Sequence, residues 1–253
     1  MVHIRKAAAA AVLSSALLTA GAAPAAKAAA ADSFTPGQRQ EIIGIIRQAL
    51  KTDPTILSDA ILTLRAQAEK TQASDSAAAV QHNQAALSGT PGDYIAGNPH
   101  GDVTLVVFYD PRCPYCRKAL PDLDTLVAGD RRLRVIEKLI PILGPNSQLE
   151  SRAIAAAGRQ NRYSVLQHAL MNDQGKPGLD QIRTLAARQG LDVARLDKDM
   201  ADPALEARLR ADVGLAQTLG ITGTPSFIIA GKVIPGAIGV DGLRQAIAEA
   251  RAG

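Results

Sequence analysis

The two cysteines of this chain, Cys113 and Cys116, stand two residues apart in the motif Cys-Pro-Tyr-Cys and are the only cysteines among its 253 residues. A disulfide between them would close too small a loop to stabilise a domain appreciably. Two thiols at this spacing can instead open and close one disulfide, and the reactive form of such a site is a thiolate. The pattern therefore predicts thiol-disulfide exchange.

The segments on either side of the motif explain how it would work. An apolar, β-branched run at residues 103–109 predicts a buried strand, and residues 117–127 predict a helix that follows the motif. The unpaired N–H groups at a helix N-terminus favour a negative charge, so this position favours the thiolate of Cys113. Pro114 suits the first helical turn. Cys116 would lie one turn further in, less exposed, where it can resolve a mixed disulfide by attacking Cys113.

A second motif, Thr224-Pro225, stands between a predicted helix and a predicted hairpin. X-Pro bonds can readily be cis, and a cis bond here would present the Thr224 backbone as an edge for a substrate chain. An ordinary trans turn is the alternative. Together with the cysteine pair, the motif favours the cis form.

The cysteines could also be half of a metal site. Zinc needs about four ligands, and the histidines that could complete a site, His82, His100 and His168, are scattered singly. Copper(I) held by the two thiolates remains open. We expect no metal and no cofactor other than the Cys113–Cys116 disulfide.

The N-terminus has the layout of a cleavable secretory signal at residues 1–31. Arg5 and Lys6 precede an Ala-rich apolar stretch, and small residues surround Lys27. A membrane-spanning helix is the alternative, but the apolar stretch is short for one. We therefore expect a periplasmic protein. Removal of Arg5, Lys6 and Lys27 lowers the basic residues from 28 to 25 against 24 acidic ones, which leaves no charge excess that would indicate a nucleic-acid partner.

The predicted elements follow the order strand, helix, strand, several helices, strand, strand, helix, which indicates an α/β fold. Two helices at residues 33–68, with an isoleucine-rich stripe and no core of their own, come before it. The sequence predicts a signal peptide at 1–31, a helical oligomerisation segment at 32–70, a helical or flexible linker at 71–92, the first part of the main fold at 93–145, a helical insertion at 146–213 and the second part of the main fold at 214–253.

These motifs resemble the DsbA-like branch of the thioredoxin superfamily over roughly residues 94–253. Residues 34–70, with Phe34, the isoleucine-rich stripe and Asp53-Pro54, resemble the N-terminal segment of the ScsC-type subgroup, as does the stretch 140–147. The resemblance implies a thioredoxin fold with an inserted helical subdomain, preceded by helices that join copies of the chain into a homo-oligomer.

The resemblance also implies roles for single residues. Cys113 is the nucleophile, Cys116 the resolving thiol, Pro225 the cis-proline and Thr224 its substrate-binding neighbour. Tyr115, which lies between the two cysteines, and Thr224 match the residues of isomerases and reductases better than those of strongly oxidising members.

One position departs from the family pattern. Relatives commonly have a buried carboxylate six residues before the first cysteine, and this chain has Val107 there. Lys138 matches a basic residue that usually lies close to that acid. We therefore expect Lys138 to be less paired and able to favour the thiolate, and proton transfer to Cys116 to require water or another group.

The leading functional prediction is an enzyme that exchanges thiols and disulfides, most of all an isomerase or reductase, in unfolded or misoxidised exported proteins. A membrane redox partner would reduce or reoxidise it. A DsbA-like dithiol oxidase is the first alternative. A binding protein, either a chaperone-like cradle or a copper-tolerance protein, is the second.

Overall fold

The computed structural model describes residues 34–253, so the predicted signal peptide lies outside the described residues. The strands are β1 (Tyr94–Gly97), β2 (Val103–Tyr109), β3 (Leu133–Leu139), β4 (Ser226–Ile229) and β5 (Lys232–Pro235). The helices are α1 (Pro36–Thr52), α2 (Thr55–His82), α3 (Gln84–Leu87), α4 (Pro114–Gly129), α5 (Pro145–Gly158), α6 (Tyr163–Asn172), α7 (Leu179–Arg188), α8 (Val193–Met200), α9 (Pro203–Thr218) and α10 (Gly239–Ala252).

The five strands form one sheet in the order β1-β3-β2-β4-β5. Strands β2 and β3 are parallel, and α4 connects them, whereas β1, β4 and β5 each pair antiparallel with a neighbour. The five helices α5 to α9 come between β3 and β4. This arrangement confirms the predicted α/β thioredoxin fold with an inserted helical subdomain.

Side chains alternate along the two central strands, and each face of the sheet has its own core. Leu105, Val107 and Tyr109 of β2 belong to the core on one face, together with both cysteines. Val106 and Phe108 belong to the core on the other face. Successive strand residues point to opposite faces. The adjacent charged residues Glu137 and Lys138 of β3 therefore lie on different faces of the sheet and have different partners.

Helix α1 begins at a capping box. Thr35 caps α1, its side chain accepts from the Gln38 amide, and Gln38 reaches back to the Thr35 amide. Helix α1 has no buried residue. The described residues divide into two compact units, residues 34–60 and 61–253, with the division inside α2.

Two segments add to the sequence-based expectation. In the predicted helical or flexible linker, residues 71–92, α2 continues to His82, and both Val80 and Leu87 are buried against the sheet. The short strand β1 was not predicted. Its burial is intermediate along most of its length, so it has none of the strong apolar pattern that identifies a central strand.

Candidate active site

Cys113 lies at the N-cap of α4, and Pro114 is the first residue of that helix. The Cys113 amide donates to the Asp110 carbonyl at 3.1 Å, which fixes the turn between β2 and α4. The Cys113 Sγ donates to the Thr224 carbonyl oxygen at 3.2 Å. The Thr224–Pro225 peptide bond is cis, as the sequence predicts. The structure thus brings the two motifs together across 111 residues of sequence.

Both cysteines are free thiols and are largely covered, with exposed fractions of 6% for Cys113 and 3% for Cys116. Burial raises the pKa of Cys116 to about 12, against hydrogen bonds from the Asp110 backbone and Thr224 that lower it. Cys116 therefore keeps its proton at neutral pH. Tyr115 is 63% exposed and forms part of the outer surface beside the pair.

Lys138 does not have the predicted position. It lies on β3 in register with Phe108 and points to the face opposite the cysteines. Its Nζ is 2.6 Å from Asp93 Oδ2 and 3.2 Å from Asp212 Oδ1. The prediction that Lys138 is poorly paired and tunes the thiolate is therefore wrong, because the alternation of the strand directs its ammonium to two buried carboxylates.

Asp110 is a site residue that the sequence analysis missed. It is fully buried, and its Oδ2 accepts hydrogen bonds from the Ile142 and Leu143 amides at 2.9 and 3.0 Å and from the Ser147 hydroxyl. Its backbone carbonyl accepts from Cys113. Asp110 therefore fixes the segment 140–147 beside the cysteine pair, with the apolar side chains of Ile142 and Leu143 exposed. The signal available in the sequence was a carboxylate three residues before the first cysteine.

Replacement of Asp110 by alanine is expected to lower the free energy of unfolding by about 2–3 kcal/mol, since four donors, including the Arg112 amide, lose a buried acceptor. Denaturant titration followed by far-UV circular dichroism would measure the change, because the chain has no tryptophan. Asp75→Ala is the matched control, because Asp75 is an exposed aspartate of α2. Equal stability of the two variants would contradict the role given to Asp110.

Two arginines connect the active-site helix to the helical insertion. Arg117 donates to the Pro111, Leu170 and Asp173 carbonyls, so it ties the start of α4 to the end of α6. Arg112 forms an ion pair with the buried Glu150 of α5 at 3.2 Å. These contacts hold the insertion in a fixed position next to the cysteines.

The three histidines among residues 34–253 have different environments. His168 pairs with Asp124 at 2.8 Å; burial lowers the pKa of His168, but the hydrogen bonds to Asp124 and to the Ser164 carbonyl outweigh it and raise the pKa overall. His82 ends α2 and His100 is exposed. Within residues 34–253, no group of three or more His, Cys, Asp or Glu side chains is arranged to hold a metal ion.

Comparison with protein families gives a match to the DSBA-like thioredoxin domain over residues 104–248, which include both cysteines and the cis-proline. The chain belongs to this family. The DsbA-like domain, its cysteine pair and its thioredoxin fold together support a thiol-disulfide oxidoreductase.

Solved structures agree with this family. A thioredoxin-like oxidoreductase from Silicibacter pomeroyi DSS-3 is 37% identical, with a TM-score of 0.65 over 68% of this chain and 99% of that one. A periplasmic thioredoxin-like protein from Salmonella enterica serovar Typhimurium is 30% identical, with a TM-score of 0.62 over 67% and 96%. A linker-deletion mutant of Proteus mirabilis ScsC is 24% identical, with a TM-score of 0.64 over 87% and 98%. The ScsC comparison shows that the shared fold extends beyond the DsbA-like domain.

Curated relatives match over a similar region. A protein named Na(+)/H(+) antiporter NhaA 1 from Salinispora arenicola is 29% identical over 163 residues, which are 64% of this chain and 25% of that protein. The chain thus spans about a quarter of the length of the curated relatives it matches. In residues 34–253, no helix has both the length and the apolar character needed to cross a membrane.

Proposed function

We propose that this DsbA-like protein exchanges thiols and disulfides in exported proteins, in the direction of an isomerase or reductase. The observation that carries the proposal is the position of Cys113 at the start of α4, with its sulfur 3.2 Å from the Thr224 carbonyl of the cis-proline loop. A nucleophilic sulfur therefore lies beside a backbone edge to which an extended substrate can bind. Tyr115 and Thr224 favour the isomerase or reductase direction by their similarity to such family members.

The exchange follows from the two thiols. The Cys113 thiolate attacks one sulfur of a substrate disulfide, the substrate S–S bond breaks, and the other substrate sulfur leaves as a thiolate. That thiolate can attack a different disulfide in the same substrate, and a substrate thiolate then releases Cys113, so isomerisation is complete without net oxidation. Cys116 can resolve a mixed disulfide that persists: its sulfur attacks the Cys113 sulfur, a Cys113–Cys116 disulfide forms, and the substrate leaves reduced.

The surface around the pair suits an unfolded protein substrate. Tyr115, Ile142 and Leu143 are large apolar side chains that are roughly half exposed or more. Exposed apolar residues next to a backbone edge suit segments that a folded protein would bury. Unfolded or misoxidised exported proteins are therefore the proposed substrates.

A periplasmic location is part of the proposal, since a stable catalytic disulfide requires a compartment that permits it. The signal-like residues 1–31 and the likeness to a periplasmic thioredoxin-like protein from Salmonella support it. A membrane protein that reduces or reoxidises the cysteine pair is the proposed redox partner.

Self-association through residues 34–68 would distinguish an isomerase from a monomeric oxidase. The apolar residues of the first unit are exposed to a degree that water disfavours: Phe34, Ile42, Ile43, Ile45, Ile46, Leu50, Ile56 and Leu57 are each at least 36% exposed. A second copy of the chain can cover this stripe, and two catalytic domains in one assembly can act on one substrate.

Deletion of residues 32–60, or the single change Ile46→Lys, is expected to convert an oligomer into a monomer. Isomerisation of a scrambled protein should fall by about tenfold or more, whereas oxidation of a small dithiol should change little. Light scattering and refolding of a scrambled disulfide protein measure the two effects.

Gln40→Lys is the matched control, because it adds the same charge at an exposed polar position of α1. It should leave both assembly and isomerisation intact. A mature chain that scatters light as a monomer would contradict the assembly, and full isomerase activity in the deletion variant would contradict its functional role.

The reduction potential of the Cys113–Cys116 disulfide, measured by equilibration with glutathione, distinguishes an isomerase from an oxidase. Thiol-disulfide proteins of this superfamily span about −270 to −120 mV. A potential near the oxidising end would keep Cys113 and Cys116 as a disulfide and would favour the oxidase. We expect a value that leaves a reduced fraction large enough for Cys113 to attack.

A further inference from the structure

A small cavity lies behind Cys116, between α4 and the central strands. Its volume is about 10 Å³, and its lining includes Cys116, Val107, Tyr109, Glu137 and Gln167. A cavity of roughly 10–15 Å³ holds one water molecule when two or more polar partners face it. The cavity has about the volume of one water molecule. Most of its lining is apolar, and the polar groups of Cys116, Glu137 and Gln167 lie at its border.

One of those groups has an unused hydrogen-bonding atom. Gln167 is 98% covered, its Nε2 donates to Glu137 Oε2, and its Oε1 is buried without a hydrogen bond from any described residue. A buried acceptor without a partner costs about 1–3 kcal/mol. A water molecule in the cavity can donate to this oxygen and so remove that cost.

The register of the sheet explains why the Glu137 carboxyl group borders the cavity behind Cys116. Glu137 of β3 pairs with Val107 of β2, so both side chains point to the face of the sheet that the cysteines occupy. The family pattern predicts an acid at the position of Val107, and here the adjacent strand provides it. The adjacent residue Lys138 points to the other face, so this carboxyl group has no cation beside it on β3.

The surroundings of Glu137 shift its pKa toward neutral pH. Burial raises the pKa of Glu137 to about 7, although hydrogen bonds from Gln167 and Tyr109 lower it. The ionisable groups that face it from the neighbouring elements are Tyr109 on β2, Tyr163 and His168 on α6, and Asp124 and Cys116 on α4. A group that titrates near neutral pH can both accept and return a proton under working conditions.

We propose that Glu137 accepts and returns the proton of the Cys116 thiol through one water molecule that Gln167 holds in this cavity. The proposal rests on the exchange function proposed above. Glu137 is the proton-transfer residue and Gln167 the residue that positions the water. Nothing in the motif Cys-Pro-Tyr-Cys itself indicates either residue.

The proton balance works in both directions of exchange. When Cys116 attacks a mixed disulfide at Cys113, its S–H proton passes through the water to the Glu137 carboxylate. The new Cys113–Cys116 bond forms, and the bond to the substrate breaks with its electron pair on the substrate sulfur. In the reverse direction a substrate thiolate attacks Cys113, and the protonated Glu137 returns the proton to the leaving Cys116 sulfur. Without that proton Cys116 would leave as a costly buried thiolate.

The pH dependence of the resolution step tests the proposal. Reduced protein is mixed with saturating oxidised glutathione, and acid quenching with mass spectrometry follows the loss of the Cys113–glutathione adduct. In the wild-type chain we expect the first-order rate to rise with pH and to level off above about pH 7, where Glu137 is ionised. In Glu137→Gln we expect a rate about 10²-fold lower at neutral pH. In that variant the rate should continue to rise about tenfold per pH unit, because only the thiolate fraction of Cys116 then limits it.

Three further variants distinguish this role from a purely structural one. Asp212→Asn removes another buried carboxyl group, on the opposite face of the sheet, and should keep the wild-type profile. Val107→Glu added to Glu137→Gln places a carboxyl group on the paired residue of β2 and should restore the plateau. Gln167→Met should move the plateau to higher pH, because the hydrogen bond that it removes lowers the pKa of Glu137.

The outcomes separate this inference from the proposed function. If the wild-type chain forms no glutathione adduct at Cys113, the exchange function is wrong and this inference with it. If the adduct forms and resolves, but the wild-type rate rises without a plateau or Glu137→Gln has the wild-type profile, only the role of Glu137 is wrong. The wild-type profile decides the point even if a variant does not fold.

Discussion

Cys113→Ala is expected to abolish both the reduction of disulfides and the rearrangement of non-native ones. The remaining thiol, Cys116, is buried, and burial raises its pKa to about 12, so it cannot replace Cys113 as the attacking group at neutral pH. We expect the activity on a scrambled disulfide protein to fall to the uncatalysed rate. Regain of enzyme activity by that protein measures the effect.

Cys116→Ala is the informative partner of that variant. It keeps the attacking sulfur at the start of α4 and removes the thiol that releases a trapped substrate. We expect mixed disulfides between Cys113 and substrate to accumulate, visible as a reducible mass increase on non-reducing gels. Cys116→Ala that turns over scrambled protein at a reduced rate would agree with an isomerase; complete loss of turnover would agree with a reductase.

The same pair of variants separates the enzyme from a binding protein. A chaperone-like cradle would suppress aggregation of an unfolded protein equally well with Cys113 or with alanine, because apolar contacts do not use the thiol. An enzyme loses its effect on scrambled disulfides with the first substitution. Wild-type refolding yields from Cys113→Ala would contradict the thiol-disulfide chemistry altogether.

Much of the fold could be predicted because its signals are local. Asp192 and Asp202 cap α8 and α9, and their side chains accept from the Arg195 and Ala204 amides, which is a signal that a sequence carries locally. The strand at Val103–Tyr109 is apolar on both faces, as a central strand must be. The cysteine pair and Thr224-Pro225 were recognisable because each residue type has a narrow chemical use, and the structure places them together.

The remaining parts depend on tertiary contacts that no local pattern encodes. The C-terminal part of α2 reads as polar and small, but Ser76 and Val80 are buried on the main domain. Strand β1 exists because β3 has a free edge to pair with. Asp110 could not be assigned a role before the segment 140–147 was known to return to it.

The adjacent residues Glu137 and Lys138 show why the expectation for Lys138 is wrong. The resemblance to the family assigns a role near the cysteines to Lys138. The alternation of β3 places Lys138 on the face opposite the cysteines and Glu137 on the same face as the cysteines. Register therefore decides which of two neighbouring charges can serve the cysteines. In the sequence, a Glu-Lys pair inside an otherwise apolar strand was the available signal.

Lys138→Met is expected to lower the free energy of unfolding by about 3–5 kcal/mol, because it leaves two buried carboxylates without their cation. The side chains of Lys138 and Asp93 are each 1% exposed, and Asp212 is 6% exposed, so water cannot replace the lost ion pairs. Denaturant titration followed by circular dichroism measures the loss. Lys118→Met, at an exposed position of α4, is the control and should change stability little.

The loss of stability in Lys138→Met should also depend on pH. The ion-paired group of Lys138, Asp93 and Asp212 determines whether the loss grows or shrinks as pH rises. Burial raises the pKa of Asp212 from 3.8 to about 6, and the ion pair with Lys138 opposes that rise. The folded chain therefore binds a proton between about pH 4 and pH 6 that the unfolded chain does not, so this group makes stability fall as pH rises through that window. Without Lys138 the pKa of Asp212 rises further, and protonation relieves the unpaired charge. We therefore expect Lys138→Met to be less destabilised at about pH 5 than at about pH 7.5, and a loss that is equal at both values would contradict a charge-based role for Lys138.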